Sequence, residues 1–200
     1  MFVAAALFWS STPDRMPVHW DASGQPDRYG GKFAGLLLLP LSTLGVYLLL
    51  LLLPRIDPRR ANYAQFQNAY LVMRVAILVF LVLTYSFVVL STRGVELGVS
   101  VFPLLAGMLL ILIGAFMGRI RTNWFVGIRT PWTLTSELSW RKTHRLGGWL
   151  LALVGVGFVA SGLVGSATAF QMALIFLFVV VLLLFIYSYL VWRADPERSE

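Results

Sequence analysis

Long apolar runs constrain this chain more than any other feature of its sequence. An α-helix rises about 1.5 Å per residue, so about 20 apolar residues cross the hydrocarbon core of a bilayer, which is about 30 Å thick. Because that core holds no water to satisfy the backbone, and the runs are continuous rather than alternating, they favour transmembrane helices. We predict an all-α polytopic bundle whose full spans are residues 33–53, 69–90, 99–117, 148–164 and 169–192.

The composition agrees with one integral membrane domain over residues 1–200. Hydrophobic residues make up 58% of the chain and charged residues 12%, whereas soluble domains are about a quarter charged. The apolar stretch within residues 1–11 is too short to cross a bilayer, so we expect a partial or interfacial first helix there. The prediction is therefore five full spans plus a partial N-terminal span.

Positive charges are distributed unequally between the two sides of such a bundle. Twelve of the 16 Lys and Arg residues fall in segments 54–68 and 118–147, in the tail 193–200, or at Arg74 near the start of a span. Lys and Arg accumulate in cytoplasmic loops. We therefore expect these segments in the cytoplasm and residues 12–32 outside the cell. The same bias explains the net charge of +7, so we predict that the chain does not bind nucleic acid directly.

The segment 12–32 is rich in proline and glycine, which indicates tight turns rather than helix. It contains one histidine and three aspartates, and a metal site needs several convergent ligands. We therefore predict no metal here. A histidine satisfied within the loop is the simpler interpretation, and a pH-sensitive or ligand-binding loop is the alternative. The candidate extracytoplasmic ligand residues are Pro17, His19, Trp20, Gly24, Pro26, Asp27, Tyr29 and Lys32.

The segment 118–147 is dense in tryptophan, arginine, threonine and turn-forming residues. Thr135 is a candidate N-cap for a basic amphipathic helix over residues 136–146, which would lie along membrane lipids. One interpretation is a brace that packs helix ends together; the other is a recognition surface for a cytoplasmic partner or lipid headgroups. The candidate partner-binding residues are Asn123, Trp124, Gly127, Arg129, Thr130, Pro131, Trp132, Trp140, Arg141, His144 and Arg145.

Small residues at four-residue spacing predict close contacts between helices, because they let backbones approach in lipid. Such spacing relates Gly114 to Gly118, Gly148 to Ala152, and Gly157 to Ser161 and Gly165.

The residues expected of an enzyme are missing from the sequence. There is no cysteine, no His-Glu-x-x-His helix, no Gly-x-Ser-x-Gly turn and no glycine-rich phosphate loop. The spans contain no carboxylate, and Arg74 is the one ionisable Lys, Arg, His, Asp or Glu within them, whereas ion-coupled transport relies on such groups. We expect no catalytic activity and no cofactor. An uncoupled transporter or permease-like protein for a small amphiphile remains an alternative.

Two blocks of residues resemble a known family. Residues 123–134, followed by residues 140–148, closely resemble the signature of the SdpI family, which consists of bacterial multi-pass membrane proteins. The candidate residues of segment 12–32, from Pro17 to Lys32, are similar to the N-terminal domain of unknown function of the same family. Together the two blocks cover essentially the whole chain in the expected order.

The resemblance implies a function as well as a fold. It implies six membrane helices in the plasma membrane of a bacterial cell, whereas the cytoplasmic C-terminus is expected from the distribution of positive charge. It also implies non-enzymatic immunity against a secreted peptide toxin. A signalling role, in which toxin-engaged protein holds a small ArsR-type transcriptional repressor at the membrane, is implied as well. The truncated first span departs from the family pattern.

Overall fold

The computed structural model describes residues 1–21, 25–95 and 100–198 and is mostly helical. Within those ranges, four helices are long and apolar enough to cross a membrane. The α-helices are α1 Phe2–Phe8, α2 Leu38–Ile56, α3 Tyr63–Thr92, α4 Val101–Met117, α5 Pro131–Thr135, α6 Glu137–Val164 and α7 Ala167–Arg193. A π-helical turn, Phe33–Leu37, leads into α2, and a 3₁₀ turn, Arg60–Asn62, leads into α3.

The predicted helical membrane bundle is confirmed, but its number of spans stays a prediction. Helix α4 has 17 residues and is therefore about 25 Å long, slightly shorter than the hydrocarbon core. The predicted start of this span, residue 99, lies outside the described residues. Helix α3 begins at Tyr63 and is kinked at Phe66, whose backbone is not helical, so Arg74 lies about two turns beyond the kink.

The long helices alternate in direction, so their ends collect at two opposite ends of the bundle. We call one of these the braced end; it consists of residues 57–62, 118–145 and 193–198. The other is the hairpin end, which consists of residues 1–21 and 25–32 with the adjoining ends of α2 and α3. Helices α2, α4 and α7 end at the braced end, whereas α3 and α6 begin there.

A β-hairpin at the hairpin end corrects the all-α prediction. Strand β1, Met16–Trp20, pairs antiparallel with strand β2, Pro26–Gly30, in the segment expected to contain turns only. Met16 is fully buried in a cluster with Ala5, Leu36 and Tyr85. The hairpin is thereby packed onto α1 and the membrane helices. These strands are hard to predict from the sequence, because each has only five residues and contains a proline, which cannot donate a ladder hydrogen bond.

Helices α4 and α6 pack with their backbones in contact. A Cβ atom added to Gly107 would lie 2.6 Å from the carbonyl oxygen of Gly155, and one added to Gly148 would lie 2.6 Å from that of Gly114. Glycine is needed at these crossings because no side chain fits between the helices. The expectation for Gly148 is confirmed, whereas Gly157 faces open space and makes no such contact.

The amphipathic helix expected at residues 136–146 is continuous with the span expected at residues 148–164. Its N-cap is Ser136, whose hydroxyl accepts from the Ser139 N–H. Thr135 is not the cap, because its hydroxyl donates to the Pro131 carbonyl of the preceding helix α5. Gly147 does not interrupt α6; a Cβ there would lie 2.5 Å from the Cδ1 atom of Ile128.

Candidate functional site

Eleven of the twelve buried polar side chains among the described residues lie at the braced end or, for Ser188, on the adjoining turn of α7. A buried polar group costs about 1–3 kcal/mol when it lacks a hydrogen-bond partner. The hydrogen-bond partners of these buried side chains therefore decide whether the braced end is stable. The buried polar residues described here are Asp57, Thr122, Asn123, Thr130, Thr133, Ser136, Ser139, Thr143, His144, Ser188 and Asp195.

The fully buried side chain of Asn123 shapes the turn at residues 121–126. Its Nδ2 group donates to the carbonyls of Arg121 and Val126, both at 2.9 Å. Its Oδ1 atom accepts from the N–H groups of Phe125, at 2.9 Å, and Val126, at 2.6 Å. One amide thus supplies the hydrogen bonds that a helix or sheet would otherwise supply, which explains why this turn can be buried.

Asp57 joins the end of α2 to the same turn. One carboxylate oxygen accepts from the Tyr63 hydroxyl at 3.1 Å and from the Trp124 N–H at 3.0 Å, and the other accepts from the Arg59 N–H at 2.7 Å. Asp57 is not among the candidate residues predicted from the sequence. The available signal was that it is the one carboxylate in the basic segment 54–68.

His144 and Gly127 form the centre of the brace. The Nε2 atom of His144 accepts from the Ile128 N–H at 2.9 Å, and Nδ1 donates to the Trp140 carbonyl at 2.8 Å. Because one nitrogen accepts and the other donates, the ring is the neutral tautomer with its proton on Nδ1. The ring also stacks on Trp140 at 4.1 Å, and the Trp140 indole N–H donates to the Ile120 carbonyl at 2.8 Å.

Helix α5 fastens the segment to α7. Thr130 and Thr133 form a capping box, and the Thr130 hydroxyl lies 3.0 Å from the Ser188 hydroxyl of α7. The Trp132 ring packs against Phe185 and Tyr189 of the same helix, with centroids 4.8 and 5.1 Å apart. These contacts favour the brace interpretation for this part of the segment.

The candidate partner-binding residues divide into two sets. Asn123, Thr130, Trp140 and His144 are buried and Trp132 is partly buried, so these form the brace. The exposed set, which we call the exposed arginine face, consists of Trp124, Arg129, Pro131, Arg141 and Arg145. Gly127 is also exposed, but its backbone lies against the His144 ring, so it belongs to the brace.

Two contacts order part of this exposed face. The Arg129 guanidinium donates to the Trp124 carbonyl at 2.8 Å, and the Arg59 guanidinium lies 5.6 Å from the centroid of the Trp124 ring. A partner would meet this set of side chains rather than the whole signature.

A polar cleft opens beside the start of α6. Its volume is about 520 Å³, and its charged lining consists of Arg59, Arg141, Glu137, Asp195 and Glu197. Of the described candidate partner-binding residues, Arg141 alone lines it. The cleft is built from four separate stretches of the chain, so no local pattern could have indicated it.

The C-terminal tail forms one side of this cleft. Asp195 is 6% exposed, and its carboxylate accepts from the Ser136 hydroxyl at 2.5 Å and from the Glu197 N–H at 3.0 Å. The hydroxyl bond from Ser136, followed by the N–H bond from Glu197, lowers the pKa of the Asp195 carboxyl; Arg198 and Arg141 contribute less, and burial opposes the shift.

At the hairpin end, the candidate ligand residues form a partly exposed surface. His19 Nδ1 lies 2.5 Å from the Asp27 carboxylate, and the Lys32 ammonium lies 3.4 Å from Asp14. The Trp20 ring packs edge-on against Phe87 of α3 at 5.2 Å. Among the remaining candidates, Pro17 pairs with Tyr29 and Trp20 pairs with Pro26 across the hairpin, and Gly24 lies outside the described residues.

No group of three or more His, Cys, Asp or Glu residues at either end could hold a metal, within the part of the chain that is described. His19 and Asp27 form a pair without a third such ligand, and His144 is already hydrogen-bonded at both ring nitrogens. The contacts observed at both ends are hydrogen bonds, ring contacts and charge pairs.

Comparisons with known proteins match two separate parts of the chain. Residues 119–191 match the SdpI/YfhL protein family, and residues 1–44 match a domain of unknown function, DUF1648. The predicted resemblance to the SdpI family is confirmed. The SdpI/YfhL match includes the brace with α5, α6 and most of α7, whereas the DUF1648 match includes α1, the hairpin and the first part of α2.

The chain is also similar to a curated member of this family. It is 25% identical over 155 residues to the immunity protein SdpI of Bacillus subtilis (strain 168), a match that covers 77% of this chain and 72% of that protein. No solved structure matches the chain. The family likeness and the apolar helices together point to a multi-pass membrane protein that is similar to the SdpI/YfhL family.

Proposed function

We propose that this chain is a non-enzymatic membrane immunity protein that protects its cell against a secreted peptide toxin. The observation that carries the proposal is the presence of the SdpI/YfhL and DUF1648 matches in one chain, where the first includes the brace and the second includes the hairpin. The likeness to an immunity protein supports protection as the outcome. The hydrogen-bonded polar groups of the braced end support a binding mechanism rather than catalysis.

The orientation of the protein follows, in this proposal, from its charge. Most Lys and Arg residues lie in the segments that form the braced end, and positive residues accumulate on the cytoplasmic side. The braced end and the C-terminus are then cytoplasmic, and the hairpin faces outward. The toxin meets the surface that carries His19, Tyr29 and Lys32, since this surface is accessible to a secreted peptide.

The inner face provides the output. The exposed arginine face recruits a cytoplasmic ArsR-type repressor when toxin is bound outside. Helix α3 connects the two ends, because its Tyr63 contacts Asp57 in the brace and its Tyr85 packs near Met16 under the hairpin. A coupling free energy of about 1–3 kcal/mol between the ends would suffice for a useful switch.

Expression in cells that a secreted peptide toxin kills tests the immunity proposal. We expect survival with the wild-type chain and killing with an empty vector. A Tyr29→Ser variant that accumulates normally should protect less well, whereas Trp9→Ser, which changes another exposed aromatic at this end, serves as the matched control. Unchanged killing across a panel of related toxins would count heavily against immunity.

The transporter alternative has less support. A transporter for a small amphiphile would need a cavity between its membrane helices. The glycine contacts leave no space between the backbones of α4 and α6, and the 520 Å³ cleft lies at the helix ends.

A further inference from the structure

We propose that the cleft at the start of α6 is a docking site for an acidic peptide segment of a cytoplasmic protein partner, and that the chain's own Asp195 occupies this site in the free protein. The inference rests on the proposed function, because it requires a cytoplasmic partner. It goes beyond that function by locating the contact away from most of the signature and by naming the chemistry that is recognised.

The start of α6 already binds a carboxylate of the chain itself. Asp195 follows α7 directly, and its carboxylate is buried against the hydroxyl of Ser136. The same hydroxyl accepts from the Ser139 N–H at 2.9 Å and so caps α6. A carboxylate at this position also benefits from the positive end of the helix dipole. The site therefore binds a peptide carboxylate in the structure itself.

Positively charged side chains surround this carboxylate. Two guanidinium groups, Arg59 and Arg141, line the cleft. Arg59 is oriented, since it donates to the Leu134 carbonyl at 3.1 Å and lies over the Trp124 ring. Arg141 forms no ion pair among the described residues, although Glu137 lies four residues before it; the Glu137 carboxylate accepts instead from the Thr122 hydroxyl.

The net charge of the residues that line the cleft changes when the tail leaves. With the tail in place, two guanidinium groups face three carboxylates, those of Glu137, Asp195 and Glu197. Asp195 and Glu197 belong to the tail and depart together, so the two guanidinium groups then face Glu137 alone. The vacated cleft thus becomes net positive and attracts an acidic segment.

The tail is suited to reversible displacement. Of its residues, Asp195 is buried, whereas Pro196, Glu197 and Arg198 are exposed. The Asp195 carboxylate therefore attaches the tail to the start of α6, whereas Arg198 contacts only the end of α7, through the Arg193 carbonyl and the Trp192 ring. A partner with a stronger acidic segment would compete with the tail by mass action, and a peptide fits the concave cleft better than a flat lipid surface does.

The test uses the full chain in nanodiscs of phosphatidylcholine and a fluorescent peptide with the tail sequence Ala-Asp-Pro-Glu-Arg-Ser-Glu as the probe. An Asp195→Ala variant should bind this peptide at least about tenfold more tightly than the wild-type chain, whose own tail competes. A peptide with Asn in place of Asp should bind the variant at least about tenfold more weakly, because it lacks the charge-assisted hydrogen bond.

Variants in the Asp195→Ala background identify the site. Arg141→Glu should abolish binding of the peptide, whereas Arg55→Glu, which changes an exposed arginine of α2 that does not line the cleft, should leave binding within about twofold of the background. Arg141→Gln, which changes the charge less, should give an intermediate affinity, provided that both Arg141 variants elute as the parent does in size-exclusion chromatography.

Three outcomes would overturn the proposal. The first is equal affinity for the Asp and Asn peptides. The second is an equal loss of peptide binding with Arg55→Glu and Arg141→Glu. The third is inhibition of peptide binding by phosphatidylglycerol in the nanodisc, which would indicate a lipid headgroup as the occupant. Because binding is measured on purified protein, its failure is separate from failure of the immunity proposal: a chain that protects cells but ignores the peptide refutes only this inference.

Discussion

Gly127 lies directly against His144. A Cβ atom at position 127 would be 2.2 Å from the His144 Nε2 atom, and the backbone has a φ of +114° there. Only glycine adopts such a conformation readily, and the space is needed because Nε2 must reach the Ile128 N–H. This relationship gives a physical reason for the glycine within the signature, and it is structural rather than a contact with a ligand.

We expect Gly127→Ala to destabilise the folded protein by at least about 2 kcal/mol, since strain and a steric clash act together. The measurement is thermal unfolding in detergent, followed by circular dichroism. Gly157→Ala is the control, because a Cβ there meets no atom within 4 Å and alanine favours a helix. Equal melting temperatures for the two variants would contradict the brace.

Asp57→Ala should lower the free energy of unfolding by about 3 kcal/mol, because it leaves the Tyr63 hydroxyl and the Trp124 N–H without their acceptor. Denaturant unfolding in mixed micelles measures this. Asp14→Ala removes an exposed carboxylate whose ion pair with Lys32 lies at the surface, and we expect almost no change from it. A small effect at Asp57 would mean that the turn at Trp124 is held by other contacts.

Trp132→Ala and Arg129→Ala should behave differently, although both residues lie in the signature. Trp132 packs against Phe185 and Tyr189, so its loss should reduce accumulation in the membrane. Arg129 is exposed and donates one hydrogen bond, so its variant should accumulate normally and lose only partner recruitment. Immunoblots of membrane fractions give the comparison. Should Arg129→Ala also fail to accumulate, the exposed arginine face would be part of the brace.

Single cysteines test the proposed orientation, and the natural chain contains none that would interfere. Ser10→Cys, at the hairpin end, should react with a membrane-impermeant maleimide in intact cells. Arg198→Cys, in the tail, should react only after the cells are opened, because the tail is proposed to be cytoplasmic. Both positions are exposed. The reverse pattern of labelling would invert the assignment of toxin and partner faces.

Parts of the site could be predicted because they depend on residues near one another in the chain. The turn chemistry of Asn123 and Gly127, the proline that begins α5 and the aromatic residues of segment 118–147 could all be selected from the sequence. Their division into buried and exposed sets could not. His144 and Arg145 are adjacent in sequence, yet one is fully buried and the other exposed, because helix packing decides which side of α6 is covered.

The sequence by itself determined that this chain forms membrane helices, that its positive charge is concentrated in particular loops, and that it resembles the SdpI family. These follow from apolar run length, residue counts and local motifs. Only the tertiary structure decided that Asp57, 66 residues before Asn123, belongs to the same network, and that Asp195 closes a cleft against Ser136. The reason is that a buried polar group must find a partner somewhere in the fold, and nothing in local sequence specifies which distant residue supplies it.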